Sequence, residues 1–318
     1  MVFKFKSKTE QQTLPGVPPL KKREKKENRG EGRKTIVVLF IITVLASLLF
    51  YLQAELPKIW EKVTAPAIIS SLPKEQLATR SVLNQIKDLT QTLSGTYGVY
   101  VYRLGDGEEY GVNEDKIFPA ASLNKLPVMV AAYQMAEKDK LDLETQYTLK
   151  EADKVEGAGL LQSKPAGTKY SYRQLIEYMA QDSDNTAFKV INQVVGETVV
   201  NQMTPQKVGE IFKKLYQGEL LNQENQEELL QFLTKTSFED RIPKGVPEGI
   251  RVAHKIGTLT GVYADAGIVY GEKPFSSEGR KERSDFILVI MTKNAQEKEA
   301  LEILPQITQA VWEFETSP

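Results

Sequence analysis

The hydrophobic pattern changes period several times along the chain, and each change predicts an element. Residues 35–54 are uncharged and dominated by Ile, Val, Leu and Phe. A run of about 20 such residues, at about 1.5 Å per residue, matches a hydrocarbon core of about 30 Å, so this stretch reads as one transmembrane helix. From Val82 the period becomes helical, with Leu83, Ile86, Leu89 and Leu93 on one face and Gly95 as a stop. Residues 97–103 are dense in strand formers, and Gly105-Asp106-Gly107 turns them into a second strand near 109–112. Residues 126–135 are apolar enough for a buried helix. Helical spacing recurs at 172–178, 186–195, 208–216 and 226–235. Strands return at 251–256, 261–270 and 286–292, and an amphipathic helix closes the chain over 295–314.

Strands at both ends with helices between them predict an α+β fold. An antiparallel sheet is built from both ends of the domain and packed with helices, and an all-helical lobe is inserted in the middle. A cleft is expected where lobe meets sheet. The organisation read from the sequence is a disordered basic tail over 1–34, an anchor over 35–54, a stalk over 55–81 carrying Pro57, Pro66 and Pro73, and a folded domain over 82–318. No internal repeat is present.

Charge adds direction to the anchor. The 318 residues carry a net charge of −1, which gives the chain no overall attraction for nucleic acid. Yet Lys4, Lys6, Lys8, Lys21, Lys22, Arg23, Lys25, Lys26, Arg29, Arg33 and Lys34 all precede the apolar run. Basic residues before the span and none within it orient the N-terminus toward the cytoplasm, with the folded domain outside. A cleaved signal peptide is the rival reading. Its apolar region would be shorter, about 7–15 residues, and a small-x-small site would follow closely; only the late Thr64-Ala65-Pro66-Ala67 resembles one. The chain has no Cys, which excludes disulfides and thiolate chemistry, and its one His, His254, excludes multi-histidine metal sites. A Ser-His-Asp triad could be built only around His254, which reads more simply as a strand residue flanking Lys255.

Three short segments carry chemistry: Ser122-Leu-Asn-Lys125, Ser183-Asp-Asn185 and Lys255-Ile-Gly-Thr258. Ser122 falls just before an apolar helix, where free backbone N–H groups and the helix dipole favour a developing oxyanion. Lys125 lies one turn on, beside Leu126 and Val128, so its ammonium is partly desolvated and easier to deprotonate. Gly257 leaves room along a strand, and Lys255 attracts anions. Taken singly, each segment has a plainer explanation: an N-cap Ser before a surface Lys, ordinary capping residues, and a solvated strand Lys. Together they supply the parts for acyl transfer through a serine ester.

Order, element type and spacing agree with one family. From about Val82 to Phe314 the chain resembles the class A β-lactamases and their relatives among the penicillin-recognising serine enzymes, on Phe-Pro-Ala-Ala-Ser122-Leu-Asn-Lys125, Ser183-Asp-Asn185-Thr-Ala and His-Lys255-Ile-Gly-Thr258. The resemblance implies a β-lactamase/transpeptidase-like fold in which Ser122 attacks the acyl carbonyl and Lys125 accepts its proton. It implies that Ser183 passes a proton to the leaving nitrogen and Asn185 orients Lys125 and substrate. Lys255 and Thr258 would hold the substrate carboxylate beside Gly257, and the N–H groups of Ser122 and Thr258 would form the oxyanion hole. The substrate implied is a β-lactam or a peptidoglycan-like small molecule; no cofactor and no metal are implied, and a monomer is expected.

The chain also departs from the family. Ile256 stands where a carboxylate-binding hydroxyl is usual, with Thr258 left to take over. The strand over 261–267 carries no Arg. Only about 70 residues separate Ser183 from Lys255, short of the family interval by roughly thirty, and the missing stretch is the Ω-shaped loop whose Glu activates the deacylating water. Glu197 and Asn201 reproduce that loop's Glu-x-x-x-Asn spacing, but they come too soon after Ser183 and in a helical pattern expected to run on to Gln202. Asp182, Glu156 and Asp265 are the remaining candidates for a base. The expectation is therefore a membrane-anchored β-lactamase-like serine hydrolase acting through a Ser122 acyl-enzyme, with impaired deacylation. The alternatives are a covalent penicillin binder or peptidoglycan peptidase, and a non-catalytic wall-associated module.

Overall fold

The computed structural model describes residues 40, 42–51, 53, 74–196, 199–273 and 282–317. The chain divides into two units, Met1–Ser71 and Leu72–Pro318. In the first, the described residues are helical and carry exposed apolar side chains, Phe40 and Phe50 among them. Among the described residues no helix is long and apolar enough to cross a membrane. The span expected over 35–54 is described only at 40, 42–51 and 53; the tail over 1–34 and residues 55–73 lie outside the described residues.

The second unit opens with a helix that starts earlier than its apolar face suggests. α1 (Lys74–Thr90) takes up the last residues of the expected stalk. Val82 and Ile86 are buried apolar residues of its inner face.

The sheet has five antiparallel strands: β1 (Thr96–Arg103), β2 (Glu109–Val112) and, from the far end of the chain, β7 (Val252–Leu259), β8 (Val262–Val269) and β11 (Phe286–Lys293). Their order is β2-β1-β11-β8-β7. Val99 pairs with Ile290 across the junction between the two chain ends, and Lys255 pairs with Ala266. Alternate side chains serve two cores. Val99, Val101, Leu288 and Ile290 pack with Ile86, Leu304 and Ile307 of α1 and α7 (Glu297–Glu315). Tyr100, Tyr102, Val289 and Met291 pack with Phe118, Val208 and Phe212 on the lobe side.

Five helices form the lobe: α2 (Lys125–Ala136), α3 (Tyr172–Gln181), α4 (Asn185–Val195), α5 (Pro205–Tyr216) and α6 (Gln223–Leu233). Short pairs complete the strands: β3 (Phe118–Pro119) with β6 (Gln202–Met203), β4 (Gln146–Thr148) with β5 (Lys169–Ser171), and β9 (Glu272–Lys273) with β10 (Glu282–Arg283). α2 is apolar around most of its circumference, with Leu126, Val128, Met129, Ala132 and Tyr133 all buried, so it sits inside the lobe. The helix expected over 186–195 ends at Val195, and the helical pattern that continues to Gln202 is not used. Gly196 caps it at φ 93°, a left-handed conformation that a glycine adopts without steric cost. Beyond it Gln202 pairs with Pro119 and Met203 with Phe118, which ties this short connector to the strand leading to Ser122.

Candidate active site

Ser122 lies in a 3-10 turn (Ala121–Asn124) that feeds directly into α2. The turn is held by Leu123, which is fully buried. The preceding Ala121 has φ 45° and Ser183 has φ 54°. Non-glycine residues there store backbone strain, and both stand where the sequence placed chemistry.

Lys125, almost fully buried, joins two of the three segments. Its Nζ donates to Ser122 Oγ, to the Ser183 carbonyl and to Asn185 Oδ1, each at 2.8 Å, with Ser183 Oγ at 3.4 Å. Burial pushes its pKa down to about 8, partly offset by the Asp184 carboxylate. A neutral amine keeps two N–H donors. With the Ser183 carbonyl and Asn185 Oδ1 taking these two, its lone pair is left for the Ser122 hydroxyl.

The capping role suggested for Ser183-Asp184-Asn185 falls on Asp184. One of its carboxylate oxygens accepts from Ala187 N and the other from Leu161 N, each at 2.8 Å. With the cap supplied by the middle residue, Ser183 and Asn185 turn toward Lys125. Asn185 Nδ2 donates to the Glu156 carbonyl at 3.2 Å.

β7 brings the third segment alongside. Gly257 also sets a close backbone approach. A Cβ there would sit 3.1 Å from the Ala120 carbonyl oxygen and 3.3 Å from Ser122 N. Its absence lets the strand lie against the turn that carries the nucleophile. Lys255 is buried, and its pKa is lowered well below the usual lysine value by burial and then by the Lys125 charge.

One residue was missed by the sequence reading. Arg241, from the segment before β7, donates to Thr258 Oγ1 at 2.6 Å, to the Gly257 carbonyl at 3.1 Å and to the Ala264 carbonyl at 2.6 Å. The following strand lacks an Arg as the sequence said, yet a buried guanidinium reaches the same strand end from elsewhere. Nothing in the local pattern around Arg241 announces this, because the contact is made across the fold.

Three of the remaining candidates, His254, Asp265 and Asp182, are held in other contacts. His254 Nδ1 meets Asp265 Oδ1 at 2.8 Å and its Nε2 meets Thr236 Oγ1 at 2.9 Å, so both belong to a buried structural network. Asp265 also accepts from Ile242 N, and Asp182 accepts from Ser237 Oγ at 2.6 Å. Glu156 does line the cleft, with Ser122, Lys125, Asn185, Phe188, Asn201, Thr258 and Leu259, around a cavity of about 620 Å³. Glu197 lies outside the described residues.

A buried lysine on a serine hydroxyl, flanked by Ser183, Asn185 and a cationic strand, is the arrangement that the family resemblance implied. The family model described as the beta-lactamase enzyme family matches residues 81–314. The chain belongs to this family. Beta-lactamase VEB-1 of Pseudomonas aeruginosa is 21% identical over 122 residues, 38% of this chain and 41% of that protein, so the match spans less than half of the relative. A beta-lactamase structure from Sphaerobacter thermophilus is 26% identical, covering 74% of this chain and 96% of that one at a TM-score of 0.65. The structure of PBP-A is 25% identical, covering 73% and 95% at a TM-score of 0.65. The class A β-lactamase-like fold thus extends over the second unit.

Proposed function

We propose that this chain is a membrane-tethered serine enzyme that β-lactams acylate at Ser122, and that the ester forms readily and hydrolyses slowly. The observation that carries the reading is the 2.8 Å contact between Lys125 Nζ and Ser122 Oγ, made by an amine whose pKa burial brings down to about 8.

In the proposed reaction Ser122 Oγ bonds to the lactam carbonyl carbon as its proton passes to neutral Lys125. The N–H groups of Ser122 and Thr258 hold the oxyanion. The carbon–nitrogen bond then breaks, Ser183 hands a proton to the departing nitrogen, and Lys125 returns one to Ser183. Thr258, with the Arg241 guanidinium on its Oγ1 and Lys255 buried behind it, forms the end of the cleft for the substrate carboxylate. A peptidoglycan-like peptide ending in a carboxylate presents the same groups.

Deacylation has weaker support: among the described residues, the candidate carboxylate that lines the cleft is that of Glu156, which is exposed. Among the described residues, the polar atoms on Lys125 Nζ are hydroxyl, carbonyl and amide oxygens. Asp182 and Asp265 are committed to other partners. Losing a general base costs about 10²–10⁴-fold in the step it serves. The uncharged run over 35–54 behind a basic N-terminus supports the tether, with the folded unit outside the cytoplasm.

Intact mass of the full chain in detergent, followed over time with penicillin G, tests this. A single adduct on Ser122 that persists for many minutes is the expected result. An adduct that decays within seconds identifies a working hydrolase instead, and no adduct at all overturns the acylation chemistry. Extraction of cell membranes with alkaline carbonate tests the tether: the chain is expected to stay with the lipid.

A further inference from the structure

Phe188 is half-buried at the edge of the lobe core, and the acylation steps do not use it. It lies three residues beyond Asn185 on α4, so the two share a helix face. Lys125 Nζ stands over its ring, 5.5 Å from the centroid. That is within the range of a cation–π contact while the lysine is charged, and of simple apolar shielding when it is neutral.

The ring has cavities on two sides. It lines the catalytic cleft. With Asn185 it also lines a second, largely apolar cavity of about 480 Å³ walled by Val155, Lys189, Asn192 and Gln193. Among the described residues, buried Asn192 Oδ1 has no hydrogen-bond partner. This space opens to the surface through the exposed Gln193, so solvent fills it. Asn185 and Phe188 are the residues common to both spaces, and they separate any such water from Ser122.

We propose that Phe188 is the partition that keeps water in the rear cavity from the Ser122 ester, and thereby a positioning residue that decides how long the acyl-enzyme lasts. Hydrolysis requires a water oxygen to bond to the ester carbonyl carbon. The carbon–Oγ bond must break, one water proton must return to Ser122 Oγ, and the free acid departs. An aromatic ring at the boundary neither accepts a proton from that water nor bonds its oxygen, and it fills the approach. The inference rests on the slow-turnover reading above.

The test is a pair of rates measured on the full chain in detergent with penicillin G: adduct formation and adduct loss, both by intact mass. Phe188→Ala is expected to speed adduct loss about tenfold or more, and to slow adduct formation through the lost shielding of Lys125, so that the two rates move in opposite directions. Phe188→Leu, which keeps most of the volume, is expected to fall between Ala and wild type. Phe188→Trp is expected to lengthen adduct life. A merely structural role would move both rates together with the melting temperature, not in opposite directions. If Phe188→Ala does not fold, the order Trp, Phe, Leu in adduct lifetime carries the test. Adducts of equal lifetime across the folded variants, or a wild-type adduct lost within seconds, overturn the partition. A wild type that forms no adduct removes the acylation reading itself, and the partition with it.

Discussion

Lys125 concentrates the chemistry because one buried amine joins Ser122 to Ser183 and Asn185. Replacing it with Ala is expected to slow penicillin acylation by about 10²–10⁴-fold, read as the rate of adduct formation. The pH dependence has a definite sign. Acylation needs the neutral amine, so its rate is expected to climb about tenfold per pH unit below about 8 and to level off above it. Stability follows the same titration. The folded-state pKa is below that of an ordinary lysine, so between the two values the unfolded chain binds the extra proton and stability rises with pH. Denaturation midpoints of wild type are expected to gain on those of Lys125→Met as pH rises from about 8 toward 10. Arg241→Ala is expected to weaken saturation by anionic β-lactams about tenfold with the limiting acylation rate largely kept, because it removes a charge-assisted partner of Thr258. Titrating adduct formation against substrate concentration separates the two effects.

At the scale of elements, the site is a meeting of one turn, one helix start and one strand. Gly257 sets how closely β7 approaches the turn, and a methyl group there meets Ala120, Ala121 and Ser122 at 3.1 to 3.3 Å. Gly257→Ala is expected to push the strand outward by a few tenths of an ångström and slow acylation at least about tenfold, with little change in melting temperature. The start of α4 depends on Asp184, whose two carboxylate oxygens hold Ala187 N and Leu161 N. Loss of such a cap costs about 0.5–2 kcal/mol. Ser183 and Asn185 were legible as a unit, but which residue caps and which two reach the lysine was not. All three side chains cap helices well, and only the path of the chain into α4 assigns them.

In the whole molecule the sheet divides two cores, and the site belongs to the lobe side. Leu304 is fully buried in the other core, under α7. Leu304→Ala is expected to destabilise the fold by about 2–5 kcal/mol, measured by denaturant unfolding, while the molecules that remain folded acylate at the wild-type rate. The expected architecture of strands from both chain ends around a helical insert is the one observed, since runs of β-branched and aromatic residues and helical apolar spacing are local signals that burial on both faces reinforces. Helix limits moved where a single residue outweighed the pattern. Gly196 ended α4 at Val195 although apolar residues continue beyond it.

What the sequence determined was the inventory: the serine and lysine one turn apart, the Ser-Asp-Asn and Lys-Ile-Gly-Thr segments, the family they resemble, and the shortened interval where a water-activating loop is expected. Each of these is a matter of residue type and spacing, which the chain carries without folding. Tertiary structure decided what those residues meet. It set the desolvation that brings the Lys125 pKa toward neutrality, the close approach that makes Gly257 a matter of backbone contact, and the placing of Arg241 on Thr258. It drew His254 and Asp265 into a buried pair and put the Phe188 ring between two cavities. Burial, distance and partition arise only when segments far apart in sequence are packed against one another, and no local pattern encodes them.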